Sequence, residues 1–186
     1  MRRIMTIIMC LLLTVPALAQ QIIITKKKAA SSCSLYVTNT GEVASGAELY
    51  ADGTYKAEGQ SFTGDGKVLC KIYFYVTELW GSAAVKIRVG ASTDLSTVYL
   101  GEVTPTVSES GEVTADFESQ DITLTSETTY YYIVSNTASG YANRVRIGYI
   151  GSNDYAGGTH YGDCTAAWTG CSANAGYDAY FMVDTK

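Results

Sequence analysis

Apolar residues recur along this chain at every second position. From Lys67 to Val76 the even positions Val68, Cys70, Ile72, Phe74 and Val76 are all apolar, while the odd ones mix Lys67 and Lys71 with Leu69, Tyr73 and Tyr75. A period of two marks a strand with one buried face. A face this rich in β-branched and aromatic residues belongs to a central strand, here one whose opposite face carries tyrosines. The alternation returns in Ala83, Val85, Ile87 and Val89 against Lys86 and Arg88, and in Val113, Ala115 and Phe117 against Glu112, Thr114, Asp116 and Glu118. It returns again in Val145, Ile147 and Tyr149 and in Ala179, Phe181 and Val183. Tyr130 to Val134 is almost wholly apolar, as suits an inner strand, and Phe62, Ile122 and Leu124 are read as pointing inward. Shorter strands are expected at 33–37 and 98–103, the second bounded by Pro105. Residues 39–59, rich in small and polar side chains, read as an irregular surface connection. No window keeps a helical period. The prediction is therefore all-β: a two-sheet antiparallel β-sandwich, jelly-roll-like, of about eight strands over residues 59–186, following an N-terminal arm and lead-in at 20–58.

Residues 1–19 change the starting point. Arg2 and Arg3 precede a short apolar run, Ile4 to Leu13, which ends at Pro16 and Ala17-Leu18-Ala19. That is the pattern of a secretory signal peptide, too short to span a bilayer, and Cys10 falls within it. The expected localisation is secreted, and the chain is not expected to span a membrane. The formal charge of −5 becomes more negative without Arg2 and Arg3, and Lys26-Lys27-Lys28 is the one basic run beyond them. A nucleic-acid partner is not expected.

Four cysteines follow the leader: Cys33, Cys70, Cys164 and Cys171. An even count in an exported chain points to two disulfides with three connectivities open. The pairing favoured is Cys33 with Cys70, tying the N-terminal segment to the central strand, and Cys164 with Cys171, stapling the loop around Trp168. No pair has the C-x2-C spacing of a zinc site.

Four short runs carry a resemblance: Gly59-Gln60-Ser61-Phe62-Thr63-Gly64 before the central strand, Thr128-Thr129-Tyr130-Tyr131, the tryptophan loop, and Tyr177-Asp178-Ala179-Tyr180-Phe181. Their order resembles that in jelly-roll modules of the carbohydrate-binding and surface-anchor type, found in bacterial exported and phage tail-associated proteins. The resemblance covers about residues 59–183. It implies a binding or adhesive module and carries no catalytic residue across. The chain departs from the group at Leu79-Trp80-Gly81-Ser82, where the group has a longer insertion.

Candidate chemistry follows from the residues themselves. His160 is the single histidine, without a G-x-S-x-G or H-E-x-x-H motif, so no hydrolase triad or zincin is supported and the chain is read as no enzyme. Binding has better material. Between Tyr149 and Tyr177 the chain gathers Tyr155, His160, Tyr161 and Trp168 with Asn153, Asp154, Asp163 and Asn174 in a glycine-rich stretch. Sugars stack their C–H faces on aromatic rings and exchange hydrogen bonds with amides and carboxylates. The candidate ligand-binding residues are Trp168, Tyr161, Tyr155, His160, Asp154 and Asn153, with Trp168 either contacting ligand or plugging the open end of the sandwich. No cofactor is required. Calcium is an option among Asp154, Asp163, Asn174 and Asp178, without a D-x-D-x-D-G loop to specify it. The function expected is a non-catalytic module that binds a glycan or other surface ligand. The alternative is a structural subunit of an extracellular appendage, coat or phage-like assembly, a homo-oligomer in which Ile22-Ile23-Ile24 adds a strand to the next subunit.

Overall fold

The structure, a computed structural model, describes residues 32–44, 46–53, 56–152 and 155–186. The expected signal peptide, the lysine run, the Ile22-Ile24 arm, Asn153 and Asp154 lie outside the described residues.

The strands, in chain order, are β1 (Ser34–Asn39), β2 (Val43–Ala44), β3 (Glu48–Leu49), β4 (Ala57–Thr63), β5 (Leu69–Leu79), β6 (Val85–Gly90), β7 (Gly101–Val103) and β8 (Gly111–Asp116). They continue with β9 (Thr129–Asn136), β10 (Val145–Ile147), β11 (Tyr149–Ile150), β12 (His160–Gly162), β13 (Ser172–Asn174), β14 (Asp178–Ala179) and β15 (Phe181–Thr185). The one helical turn among the described residues, Glu118–Gln120, is 3-10. Two main sheets form the sandwich. The first runs β1-β15-β5-β10-β3, with β8 on the other edge of β5, and the second runs β13-β12-β4-β9-β6-β7. A three-stranded sheet, β14-β11-β2, joins them. All pairings are antiparallel.

The expected central strand is β5. It pairs with β15 over its first half and β10 over its second, while β8 occupies the opposite edge. Cys70, Ile72, Phe74 and Val76 are fully buried, as the alternation requires. Facing them across the sandwich are Phe62 on β4, Tyr130, Tyr132 and Val134 on β9, and Val85, Ile87 and Val89 on β6. On the outer side of the first sheet, Tyr73 donates to Asp184 at 2.8 Å and Tyr75 packs edge-on to Tyr180. These tyrosines are cross-strand neighbours rather than an open aromatic platform.

Both expected disulfides are present, Cys33–Cys70 and Cys164–Cys171. By chain entropy the first, closing the longer loop, contributes about 4 kcal/mol.

Three segments differ from the sequence reading. Residues 39–59 hold β2, β3 and the start of β4, and Leu49 is fully buried. Two-residue strands leave no periodic signal, so this stretch reads as irregular although it is built into the sheets. The expected strand over 98–103 is paired only at Gly101–Val103, and Val98, Tyr99 and Leu100 form an exposed loop. The run Val145 to Tyr149 changes sheet at Gly148, whose N–H donates to Tyr75 O and where a Cβ would lie 2.5 Å from Val43 Cγ1. Only a residue without a side chain lets the chain cross there.

Candidate functional site

Strand β12 decides which candidates can meet. It pairs with β4 through His160↔Gln60 and Tyr161↔Gly59. Successive side chains on a strand point to opposite faces, so His160 turns into the sandwich and Tyr161 turns out, where its ring lies 5.5 Å from that of Tyr131. Trp168 also lies on the outer face. It packs on the buried set Ala57, Leu95, Ile133 and Cys164, and its indole stacks on the Arg88 guanidinium at 4.2 Å. Tyr155 is elsewhere again, edge-on to Phe181 at 5.1 Å with its N–H donating to Asp178. The described residues predicted as one ligand site thus occupy three places, and Trp168 covers a sheet face rather than an end.

Inside the sandwich, His160 joins residues of the Tyr149 to Tyr177 segment and Glu58, which the sequence reading did not single out. A cleft of about 220 Å³ is bounded by Gly46 and Ala47 before β3, Glu58 on β4, Tyr149 on β11, and His160 and Gly162 on β12. Asp163, Asn174 and Tyr177 complete it. The rings of Tyr149 and Tyr177 lie 4.7 Å apart, and that of Tyr149 is 6.1 Å from His160. Gly162 keeps the floor open, since a Cβ there would stand 3.2 Å from His160 Cε1 and 3.9 Å from Glu58 Oε1. Two larger clefts, of about 420 and 330 Å³, are open grooves along the Gly41–Ala44 segment and beside Trp80. Neither has a buried ionisable group in its wall, whereas the cleft at His160 has two, Glu58 and His160.

Glu58 and His160 are 4% and 3% exposed. Glu58 Oε1 accepts from Ala47 N at 3.2 Å, and among the described residues the carboxyl forms no ion pair. Burial, reinforced by the Asp163 charge and only partly offset by the Ala47 N–H, pushes its pKa up to about 8. Burial pulls His160 down to about 4 despite the charges of Asp178 and Asp163. Both groups are therefore neutral at pH 7. His160 Nδ1 and the Tyr132 hydroxyl, which burial holds well above the ordinary tyrosine value, have no hydrogen-bond partner among the described residues.

Asp178, by contrast, is fully engaged. Its two oxygens accept from Gln60 Nε2 at 3.0 Å and from Tyr155 N at 2.8 Å. Among the described residues no group of three or more His, Cys, Asp or Glu side chains is placed to hold a metal. The motif Tyr177-Asp178-Ala179 thus anchors the wall of the cleft, with Ala179 N donating to Gln60 Oε1.

The fold and the site define a disulfide-stapled β-sandwich with a recessed cleft of aromatic and polar groups. No family model matches the chain, and no curated protein matches it either. No helix among the described residues is long and apolar enough to cross a membrane.

Proposed function

We propose that this is a secreted, non-catalytic binding module that recognises a glycan through the cleft between Tyr149, Tyr177, His160 and Glu58. The observation that carries the reading is a cleft whose wall holds two almost wholly buried ionisable side chains without an ion pair among the described residues, Glu58 and His160, beside the closely set rings of Tyr149 and Tyr177. The desolvation of these two side chains is already incurred in the fold, so ligand hydroxyls that hydrogen-bond to them gain without a further charge being buried. Tyr149 and Tyr177 add the apolar ring faces on which a sugar can stack. Export to an oxidising compartment agrees with the two disulfides. A glycan-array screen of the disulfide-bonded chain beside Tyr177→Ala tests the reading: binding should appear and fall at least tenfold in the variant. Silence across a broad array counts against it.

A second reading, subunit assembly by strand addition, is favoured by one feature. Among the described residues strand β1 is an edge of the first sheet and leaves Leu35 57% exposed beside an exposed Tyr36. An open apolar edge is a template for another strand. Light scattering of the chain with and without residues 20–32 separates the two, since a monomeric binder is unchanged and an assembling subunit loses its oligomer.

A further inference from the structure

Resting on the glycan-binding reading of the cleft, we infer that it accepts a single uncharged, polyhydroxylated sugar residue, whose hydroxyls exchange hydrogen bonds with the Glu58 carboxyl and the His160 imidazole in its wall.

Charge is the first argument. No Lys or Arg is among the described residues that bound the cleft, and Asp163 stands at its exposed mouth. The groups facing Glu58 are Tyr132 from β9, Tyr149 from β11, His160 from β12, then Asp163 and Tyr177, with Asp178 of β14 behind Tyr132 and His160. None is a cation at pH 7. A uronic or sialic acid carboxylate would be desolvated beside acidic groups without a counter-charge, which is the costly arrangement.

The second argument is the kind of hydrogen bond available. With its pKa pushed up to about 8, Glu58 keeps its proton at neutral pH and can both donate and accept, as can the neutral imidazole of His160 through its two nitrogens. A sugar hydroxyl also donates and accepts, so the two sets match without any charge being created. Size is the third. About 220 Å³ is below the ~300 Å³ at which drug-sized pockets begin. One ring enters, and the rest of a chain stays outside.

The test is calorimetric titration of the disulfide-bonded chain at pH 6, 7 and 9. The ligands are neutral gluco-, manno-, galacto- and xylo-oligosaccharides, set against oligogalacturonate, sialyllactose and glucosamine oligomers. A neutral sugar should bind at least tenfold more tightly than its charged counterparts and weaken roughly tenfold from pH 7 to pH 9 as Glu58 ionises. In Glu58→Gln, which cannot ionise, the ratio between those pH values should approach one. Preference for an acidic or amino sugar, tightening above pH 8, an unchanged pH ratio in Glu58→Gln, or a folded Glu58→Gln that binds nothing would each overturn the inference. If such binding still depends on Tyr177, the glycan reading survives; if no sugar binds, or Tyr177→Ala binds as before, both fall.

Discussion

Trp168 and His160 belong to the same glycine-rich segment and end on opposite faces of one sheet, in environments of opposite character. Beside Trp168 the guanidinium of Arg88 is paired. Arg88, held between the rings of Trp168 and Tyr99, donates to Glu102 at 2.6 Å and to the carbonyls of Leu95 and Ser96, and Trp168 O accepts from Leu95 N. In the cleft, Glu58 and His160 are almost wholly buried and form no ion pair among the described residues. Asn136, also fully buried, shows what this fold does when a polar group is structural. Its amide donates to Leu49 O and Asn143 O and accepts from Ala84 N and Ala138 N. Aromatic richness therefore does not set the cleft apart; the two almost wholly buried ionisable side chains in its wall do.

The largest expected effect lies on the Trp168 side. Cys164→Ala with Cys171→Ala should cost about 2–3 kcal/mol in a denaturant melt, as the closed loop regains its freedom. Trp168→Ala should cost about 2 kcal/mol by uncovering Ile133 and Arg88, while sugar binding in the cleft persists. Loss of binding without loss of stability in that variant would reverse the comparison.

The cleft should show itself through pH. Folded, Glu58 holds its proton to about pH 8, whereas its ordinary value is 4.5, so between those values stability falls as pH rises. His160 acts in the other direction. Folded, it stays neutral down to about 4 against an ordinary 6.5, so stability falls on acidification through that window. The two slopes cancel between about 4.5 and 6.5, and above 6.5 the Glu58 slope stands alone. Thermal melts should lose on the order of 2 kcal/mol from pH 6.5 to 8, a limb that Glu58→Gln removes. A flat profile for the wild-type chain over that range would mean that Glu58 is solvated or paired.

The smallest stability effects should fall at the rim and floor of the cleft. Tyr177→Ala should shift the melt by under about 1 kcal/mol because Tyr177 is 38% exposed, and Gly162→Ala by about 1 kcal/mol because its methyl would stand 3.2 Å from His160 Cε1 and the ring must give slightly. Both should weaken sugar binding at least tenfold, one by removing a ring face and the other by narrowing the floor. A large stability loss in either would make the cleft a structural seam.

The sequence determined a good deal by itself. Period-two runs such as Cys70 to Val76 and Val113 to Phe117 place their own buried faces, because side-chain direction along a strand is a local property. The even count of cysteines pointed to two disulfides with three connectivities open, and the favoured pairing is the one present. The sequence also singled out the segment from Tyr149 to Tyr177, which does supply Tyr149, His160, Asp163, Asn174 and Tyr177 to the cleft. Only tertiary structure decided the rest. Register on β4 separates His160 from Tyr161, and it brings Glu58, a charged residue in an expected lead-in, beside a histidine about a hundred positions away. Desolvation of that pair depends on what β9, β11 and β14 place around them, and no local pattern carries information about water excluded by distant strands.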